Sequence, residues 1–144
     1  MPDLRSAGPD DLPAIVSLLK ASGLPCEDID PARQEFIVAA SGNDITGVVG
    51  LERAGAYGLL RSLAVEPGQR KKGLGKALLD EMLLHAWLKG AGEIYILTTT
   101  APGFFEKNGF EQAVRSDAPK GIQNTTEFKT ICPVSAVCMR KKIA

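Results

Sequence analysis

This sequence lacks an excess of either positive or negative charge. Its 17 Lys and Arg residues are balanced by 17 Asp and Glu residues, whereas a nucleic-acid-binding face usually shows as a basic excess. We therefore expect no nucleic-acid partner. No apolar run approaches the ~20 residues of a membrane span, and the N-terminus shows no basic segment followed by an apolar one. These absences predict a cytoplasmic protein without a membrane partner.

Cysteine and histidine are also scarce. Three cysteines, an odd number without a secretion signal, indicate reduced thiols. Cys132 and Cys138 could bind a soft trivalent arsenical, but their spacing is longer than that of a metal loop. We therefore expect no metal, with Cys138 as a small core residue. The single histidine, His85, falls inside a helical pattern and is expected to pack there rather than to act in catalysis.

The most informative segment is the glycine-rich basic loop of residues 70–76, Arg-Lys-Lys-Gly-Leu-Gly-Lys. An apolar run precedes it as a predicted strand, and an amphipathic stretch follows it as a predicted helix. A helix start presents unpaired N–H groups and about half a positive charge, and glycines let the backbone close around an anion. The loop therefore predicts a diphosphate cradle. The alternative is a solvated basic loop before an ordinary surface helix.

Neither common nucleotide motif fits this loop. The dinucleotide motif needs a third glycine, and the phosphate-loop motif needs Ser or Thr after Lys76. The loop reads R-x-x-G-x-G, the strand before it reads L-x-V-x-P, and residues 101–110 read A-x-x-F-F-x-x-x-G-F. In these motifs and in residues 3–13 the chain resembles the GNAT superfamily of acyl-CoA N-acyltransferases over nearly its whole length.

The order of predicted elements favours an α/β fold with a mixed sheet, since two early hairpins precede alternating helices and strands. A plain doubly wound nucleotide fold is the alternative that the hairpins disfavour. The resemblance implies a GNAT fold over residues 1–144 as one domain, with six to seven strands splayed between strands 4 and 5. Predicted strands cover residues 3–6, 35–40, 45–53, 57–65, 93–98, 110–114 and 135–140. Predicted helices cover 10–22, 73–89, 102–108 and 119–130, with a short helical turn at 28–33.

The resemblance also implies acetyl-CoA as co-substrate, lying in the opening of the sheet. The strand backbone would pair with the pantetheine arm, the basic loop would hold the pyrophosphate, and two aromatic residues would flank the arm. The implied cofactor-binding residues are Leu63, Ala64, Val65, Arg70, Lys71, Lys72, Gly73, Leu74, Gly75, Lys76, Phe104 and Phe105. Many members carry a tyrosine as thiolate acid where this chain has Phe105. This leaves three alternatives. Another group or water protonates the thiolate, the thiolate leaves without a proton, or the protein binds CoA without catalysing a reaction.

Two residues are the candidates for the acceptor side. A tight hairpin at residues 55–56 would place Glu52 opposite Leu59 and Gly50 opposite Arg61. Glu52 and Arg61 would then share a face of the sheet, together with Leu63 and Val65. Arg61 is interpreted either as a clamp for an acceptor carboxylate or oxyanion or as a structural ion pair with Glu52. Glu52 is the candidate general base or ammonium binder.

Residues 128–140, with 59–65 and 97–101, resemble the arsenic-resistance N-acetyltransferase subgroup, whose related enzymes acetylate arsinothricin or phosphinothricin. The resemblance implies an N-acetyltransferase that acts on a small amine, with an anionic, amino-acid-like arsenical or phosphinate as a candidate acceptor. The alternative is a non-catalytic sensor that binds CoA or an arsenical. A final strand able to pair across a subunit boundary leaves a homodimer open.

Overall fold

A computed structural model describes residues 2–70, 73–99, 101–131 and 136–144. Its seven strands form one sheet in the order β1-β2-β3-β4-β5-β7-β6. The strands are β1 (Asp3–Ser6), β2 (Gln34–Ser41), β3 (Asp44–Ala54), β4 (Tyr57–Val65), β5 (Glu93–Thr98), β6 (Glu111–Gln112) and β7 (Val137–Lys142). The helices are α1 (Leu12–Ala21), α2 (Leu74–Leu88), α3 (Pro102–Lys107) and α4 (Lys120–Gln123).

Two hairpins build the first half of the sheet, as predicted. β2, β3 and β4 pair antiparallel in sequence order. The two turns contain Gly42 and Gly55, whose φ angles of 62° and 63° lie in the left-handed region that glycine enters without a Cβ clash. The chain then crosses through α2, and β5 pairs parallel with β4. The mixed sheet flanked by helices is therefore confirmed.

The sheet opens between β4 and β5. Their ladder joins Tyr57, Gly58 and Leu59 to Glu93, Ile94 and Tyr95, and it ends there. β5 continues to Thr98 against β7, while β4 continues to Val65 against β3. The second halves of the two strands therefore diverge, and the predicted splay between strands 4 and 5 is confirmed.

A β-bulge lies in β4 beside this opening. Gly50 pairs with Arg61 and Val48 pairs with Ala64, so Ser62 and Leu63 together face one residue of β3. Ser62 has a φ of 58°, unusual for a residue with a side chain. An extra residue reverses the alternation of side chains in the strand beyond it.

The bulge corrects one prediction about the faces of β4. Leu63 and Val65 pack against the apolar cluster of α2, together with Leu60. Arg61 points to the other face, where it meets Asp28. The expectation that Arg61 shares its face with Leu63 and Val65 is therefore wrong, because it assumed an uninterrupted strand.

The core has a separate apolar cluster under each part of the sheet. One joins α2 to the sheet, a second packs α1 against the other face, and a third lies under β5, β7 and α4. Cys138 belongs to the third cluster, where burial raises the pKa of its thiol. The prediction of Cys138 as a core residue is confirmed.

Three local predictions differ from the structure. Residues 28–33 form turns rather than a helix, because Asp30 accepts hydrogen bonds from the N–H groups of Ala32 (at its carboxylate) and Gln34 (at its carbonyl). The helix expected over 119–130 ends after Gln123 and is followed by a separate π-helical turn, Glu127–Ile131. The strand expected over 110–114 narrows to β6.

β7 lies inside the sheet, between β5 and β6, and β6 covers only Met139 and Arg140. Pairing of this strand across a homodimer stays a prediction. Among the described residues, no helix combines the length and apolar character needed to cross a membrane.

Candidate functional site

A cavity of about 450 Å³ opens where β4 and β5 part. Its walls come from the bulged part of β4, the end of β5, α3, the loop after α1 and the π-helical turn. Among described residues, those that line it are Gly23, Leu24, Pro25, Glu27, Leu60, Arg61, Ser62, Leu63, Ile96, Leu97, Thr98, Thr99, Ala101, Phe104, Phe105 and Glu127. Both its volume and its mixture of apolar and charged walls are typical of a small-molecule site.

Arg61 lies in the cavity wall with its guanidinium fully engaged. The residue is 3% exposed. Its Nη1 and Nη2 donate to the two carboxylate oxygens of Asp28, the second at 2.6 Å, and its Nε donates to Ser62 Oγ at 3.1 Å. The same Nε lies 3.7 Å from Glu127 Oε2. The structural ion pair expected for Arg61 therefore exists, but its partners are Asp28 and Glu127 rather than Glu52.

This ion pair fixes the protonation states of both partners. Burial alone would lower the pKa of Arg61, but its hydrogen bond to Asp28 and the charges of Glu127, Asp28 and Glu52 raise it above its ordinary value. Burial alone would raise the pKa of Asp28, yet the hydrogen bond and charge of Arg61 hold it below its usual range. Both groups therefore stay ionised at neutral pH.

Glu52 lies on the same face as Arg61, in the predicted register opposite Leu59. It is half-buried, and its Oε1 accepts a hydrogen bond from Gln34 Nε2 at 3.3 Å. Glu52 is not among the described residues that line the cavity. Its effect on the site is electrostatic, since its charge acts on the guanidinium of Arg61.

The glycine-rich loop leads into the N-terminus of α2, as predicted. Gly73 caps the helix with a φ of 80°, and a Cβ built on it would meet nothing within 4 Å. A Cβ built on Gly75 would lie 3.8 Å from the Phe104 ring and 3.9 Å from Val65 Cγ2. The first turn of α2 therefore lies beside both the end of β4 and α3.

The basic side chains of this loop differ in what they contact. Arg70 Nε donates to the carbonyl of Val65 at 3.0 Å, which ties the loop to β4. Lys76 Nζ donates to Asp80 Oδ2 at 2.6 Å along the helix surface. Leu74 is buried in the α2 cluster, and Ala64 packs in the α1 cluster. Lys71 and Lys72 lie outside the described residues.

Three phenyl rings stack beside the cavity. The ring centroids of Phe104 and Phe105 are 5.2 Å apart, and those of Phe105 and Phe110 are 5.4 Å apart, both pairs edge to face. Phe105 is buried and lines the cavity, so an apolar ring occupies the position of the expected thiolate acid. The nearby hydroxyl of Thr98 accepts a hydrogen bond from the N–H of Ala101 at 3.1 Å, just before α3 begins. Thr100 lies outside the described residues.

His85 lies away from this cavity. Its Nε2 contacts Glu35 Oε2, and Glu35 also pairs with Arg53 at 2.7 Å. The ring therefore links α2 to β2 and β3, as expected for a structural histidine.

The sequence patterns did not predict Asp28, Ser62 or Glu127 as parts of the site. The bulge at Ser62 has no residue signature in an otherwise apolar strand. Asp28 lies in a loop rich in acidic residues that offers no reason to choose one of them. Glu127 precedes Phe128 inside an expected helix, and only the buried position of its carboxylate distinguishes it.

A family model for the acetyltransferase (GNAT) domain matches residues 32–112, more than half of the chain. That segment contains β2 to β6, α2 and α3, and therefore both strands of the opening and the glycine-rich loop.

Solved structures share the fold at low sequence identity. N-acetylglutamate synthase from Neisseria gonorrhoeae, complexed with coenzyme A and N-acetyl-glutamate, matches all of this chain with a TM-score of 0.84 and 19% identity. This chain spans only 35% of that one. Rv2747 from Mycobacterium tuberculosis, in complex with CoA, matches 99% of this chain and 100% of its own, with a TM-score of 0.82 and 21% identity. An acetyltransferase of the GNAT family from Staphylococcus aureus Mu50 matches 100% of both chains, with a TM-score of 0.79 and 18% identity.

Proposed function

Because the chain belongs to the acetyltransferase (GNAT) domain family, we propose that it transfers an acetyl group from acetyl-CoA directly to the amine of a small acceptor. The observation that carries this proposal is the opening between β4 and β5, with the N-terminus of α2 at one end and the charged cavity at the other. Two of the similar structures were solved with CoA bound, which supports the choice of co-substrate.

The residues around the opening fit acetyl-CoA. The N–H groups at the start of α2, with Arg70 and the open backbone at Gly73, would hold the pyrophosphate. β4 has no ladder partner in β5 beyond Leu59, so the backbone groups of Leu63, Ala64 and Val65 that point away from β3 would pair with the amide groups of the pantetheine arm. The exception is the Val65 carbonyl, which accepts a hydrogen bond from Arg70. Phe104 and Phe105 would flank the arm, while Gly75 leaves room beside Phe104. Lys71, Lys72 and Lys76 would add attraction at longer range.

Bound acetyl-CoA supplies an activated acyl group, and the residues of the chain position it. The β-bulge turns Leu63 toward the α2 side of the sheet and Arg61 toward the acceptor side. The thioester would then meet the amine between β4 and β5, where the cavity holds the two reactants close together. Phe105 contributes packing and not a proton. The thiolate therefore leaves without acid assistance from this position, which its ordinary acidity allows.

For the acceptor we propose an anionic, amino-acid-like amine, such as an amino-acid arsenical or phosphinate of the kind used by the arsenic-resistance subgroup. What supports this is the chemistry of Arg61, which holds a carboxylate of Asp28 in bidentate geometry in the cavity wall. An acceptor anion would share the planar guanidinium with Asp28, since Arg carries five N–H donors. Glu52 would assist through its charge on Arg61.

A thiol-release screen tests the proposal directly. The purified protein is mixed with acetyl-CoA and a panel of amines, and each product is checked for the added acetyl group by mass. The panel contains amino-acid arsonates and phosphinates, their decarboxylated counterparts, a polyamine, an aminoglycoside and a peptide N-terminus. We expect turnover on at least one amine, with preference for amines that carry an oxyanion.

The buried phenyl ring of Phe105 favours one second candidate, a protein that binds CoA without catalysis. Acetyl-CoA binding together with no acetylated product from any amine would support this sensor and contradict the enzyme. Arsenite binding that is lost in a Cys132→Ala, Cys138→Ala variant would identify an arsenical as its ligand. Turnover that survives both cysteine substitutions would exclude the thiols from the chemistry.

A further inference from the structure

We propose that Glu127 binds the ammonium group of the acceptor and accepts its proton, an inference that rests on the proposed function. Amines reach the site protonated, since an unperturbed alkylamine has a pKa of about 10.4. The nitrogen must lose a proton before it can attack a thioester. The cavity therefore needs a carboxylate that attracts the cation and takes the proton.

The fold places the Glu127 carboxylate in the cavity wall. The side chain is 6% exposed, and the residue lines the cavity. It begins the π-helical turn Glu127–Ile131, which is anchored on both sides. Arg115 Nη2 donates to the carbonyl of Phe128 at 2.7 Å, and the N–H of Phe128 donates to Thr125 Oγ1 at 3.3 Å. These bonds fix the backbone that aims the carboxylate.

The charges around the cavity favour a cation. Among described residues, the charged side chains that line it are Glu27, Arg61 and Glu127. The two terminal nitrogens of the Arg61 guanidinium are bonded to Asp28, which adds a third carboxylate. Three carboxylates against one guanidinium leave this wall with net negative charge, which attracts an ammonium group in a site of low dielectric.

The two other acidic candidates are less well placed. Glu52 is bonded to Gln34 and lies outside the set of described residues that line the cavity. Glu27 is exposed at the rim, and its Oε2 accepts a hydrogen bond from the N–H of Cys26 at 3.3 Å. Glu127 combines burial with a position in the cavity wall. Its Oε2 lies 3.7 Å from Arg61 Nε, so the guanidinium offsets part of its negative charge.

The charged groups that surround Glu127 come from several elements. Arg61 faces it from β4, Asp28 stands behind Arg61 on the loop after α1, and Glu52 acts on Arg61 from β3. Glu27 lies across the cavity on the loop, and Arg115 holds the next residue of the turn. We therefore expect a bound ammonium group to contact the Glu127 carboxylate directly. The other charged groups lie further away and add to the field around that contact.

Every proton in the acyl-transfer step has a donor and an acceptor. One ammonium proton passes to the Glu127 carboxylate, and the freed nitrogen forms a bond to the acyl carbon as the C–S bond breaks. The nitrogen loses its second proton as the amide forms, and the leaving thiolate takes up one proton. The proton on Glu127 passes to solvent through the cavity. No oxidant, reductant or metal is needed.

The test compares Glu127→Gln with two matched controls at exposed glutamates outside the set of described residues that line the cavity, Glu81→Gln on α2 and Glu111→Gln on β6, using the panel amine with the highest turnover. Each change removes one negative charge and keeps the side-chain shape. At pH 7 we expect kcat/KM for the amine to fall by about 10²–10⁴-fold in Glu127→Gln, with far smaller changes in the controls. KM for acetyl-CoA should stay at its wild-type value. Calorimetric binding of the same amine in the presence of CoA should weaken only in Glu127→Gln.

The pH profile separates a chemical role from a structural one. Without its base, the Glu127→Gln variant depends on the free amine, so its deficit should shrink as the pH rises toward the pKa of the amine. A deficit that is constant with pH would overturn the inference, as would a variant as active as its controls. If Glu127→Gln does not fold, Glu127→Asp should keep the wild-type pH profile at reduced kcat, and a changed profile would contradict the inference. A wild-type protein without turnover would instead contradict the proposed function itself.

Discussion

The phenyl ring of Phe105 is the residue that most constrains the chemistry of this site. It lines the cavity, is buried, and packs edge to face between Phe104 and Phe110. A positioned general acid commonly contributes 10²–10⁴-fold to a rate. The effect of a missing hydroxyl at this position is therefore large enough to measure in kcat. A thiolate is a modest base that can leave unprotonated near neutral pH.

A Phe105→Tyr variant measures whether the missing acid limits the reaction. We expect kcat at pH 7 to change by much less than the 10²-fold that a general acid supplies. The added hydroxyl should lower stability by about 1–3 kcal/mol where it finds no partner. Phe110→Tyr is the control, since Phe110 belongs to the same stack and is not among the described residues that line the cavity. A rise in kcat above 10²-fold in Phe105→Tyr alone would contradict unassisted departure.

Single residues also show where sequence patterns stop being informative. Strand alternation predicted the pairing of Glu52 with Leu59 and of Gly50 with Arg61, and the register is confirmed. The partner of Arg61 was not predicted, because Asp28 is 33 positions away and reaches it only after the loop folds over the sheet. Hydrophobic periodicity indicates which face of a strand or helix lies against the core. It does not indicate which charged residues, distant in the sequence, form an ion pair.

At the scale of elements, the loop between α1 and β2 is held to the sheet by one buried ion pair. Asp28 binds Arg61 of β4 with both carboxylate oxygens, and the side chains are 4% and 1% exposed. The neighbouring residues 23–27 form one wall of the cavity. The ion pair therefore positions the acceptor wall as well as stabilising the fold.

An Asp28→Asn variant should lose about 3–5 kcal/mol of unfolding free energy at pH 7, because it removes the bidentate carboxylate partner of a buried guanidinium. Asp11→Asn, which breaks the more exposed Arg5–Asp11 pair, should lose far less and serves as the control. Chemical denaturation of both variants and the wild type measures the difference. A loss in Asp28→Asn no larger than in the control would contradict the role of the pair.

The difference in unfolding free energy between wild type and Asp28→Asn should depend on pH in one direction. The pKa of Asp28 is held below its ordinary value in the folded state, so the carboxylate binds a proton less readily when folded than when unfolded. Its contribution is present above the ordinary value of about 3.9 and is lost as the pH falls through the lower folded pKa. The stability curves of wild type and Asp28→Asn should therefore converge only below pH ~4. Convergence already near pH 6 would contradict this assignment.

Elements differ in how well the sequence specified them. The hairpins and α2 were predicted because turn glycines and apolar periodicity act within a few residues. The segment after α3 was not predicted: residues 119–130 read as one helix, whereas the structure has α4 followed by a separate π-helical turn. Just after α4 ends, Thr125 donates its hydroxyl to the carbonyl of Ile122 at 2.7 Å. Such local hydrogen bonds compete with the helical ladder, and the sequence pattern does not say where they form.

The whole molecule is a sheet opened at one place, and both halves of the proposed site depend on that opening. The order of strands and helices predicted a mixed sheet, and the resemblance to GNAT proteins placed the splay correctly between β4 and β5. Neither source predicted which carboxylates surround the cavity, because the acceptor wall joins the loop after α1 to the π-helical turn, two segments far apart in the sequence. The sequence therefore predicts the residues of the co-substrate half of the site, whereas the residues of the acceptor half are identified only in the structure.

The central claim is that the N-terminus of α2 holds the pyrophosphate of acetyl-CoA, and the direct measurement is its calorimetric binding to wild type and to Gly73 variants. Gly73→Asp and Gly73→Asn differ in charge alone, and both place a side chain at a φ of 80° where nothing lies within 4 Å. Gly55→Asp is the control for a new carboxylate at positive φ, since the β3–β4 turn lies at the opposite end of β4 from Val65 and the loop to α2. In thermal melts, acetyl-CoA should also raise the Tm of every variant that binds it.

We expect saturable acetyl-CoA binding to wild type and Gly55→Asp, weaker binding to Gly73→Asn, and at least a further tenfold loss, about 1.4 kcal/mol, in Gly73→Asp. That last step isolates the repulsion between the new carboxylate and the phosphates. Equal affinities for the Asp and Asn variants, or no acetyl-CoA binding by wild type at millimolar concentration, would contradict the account.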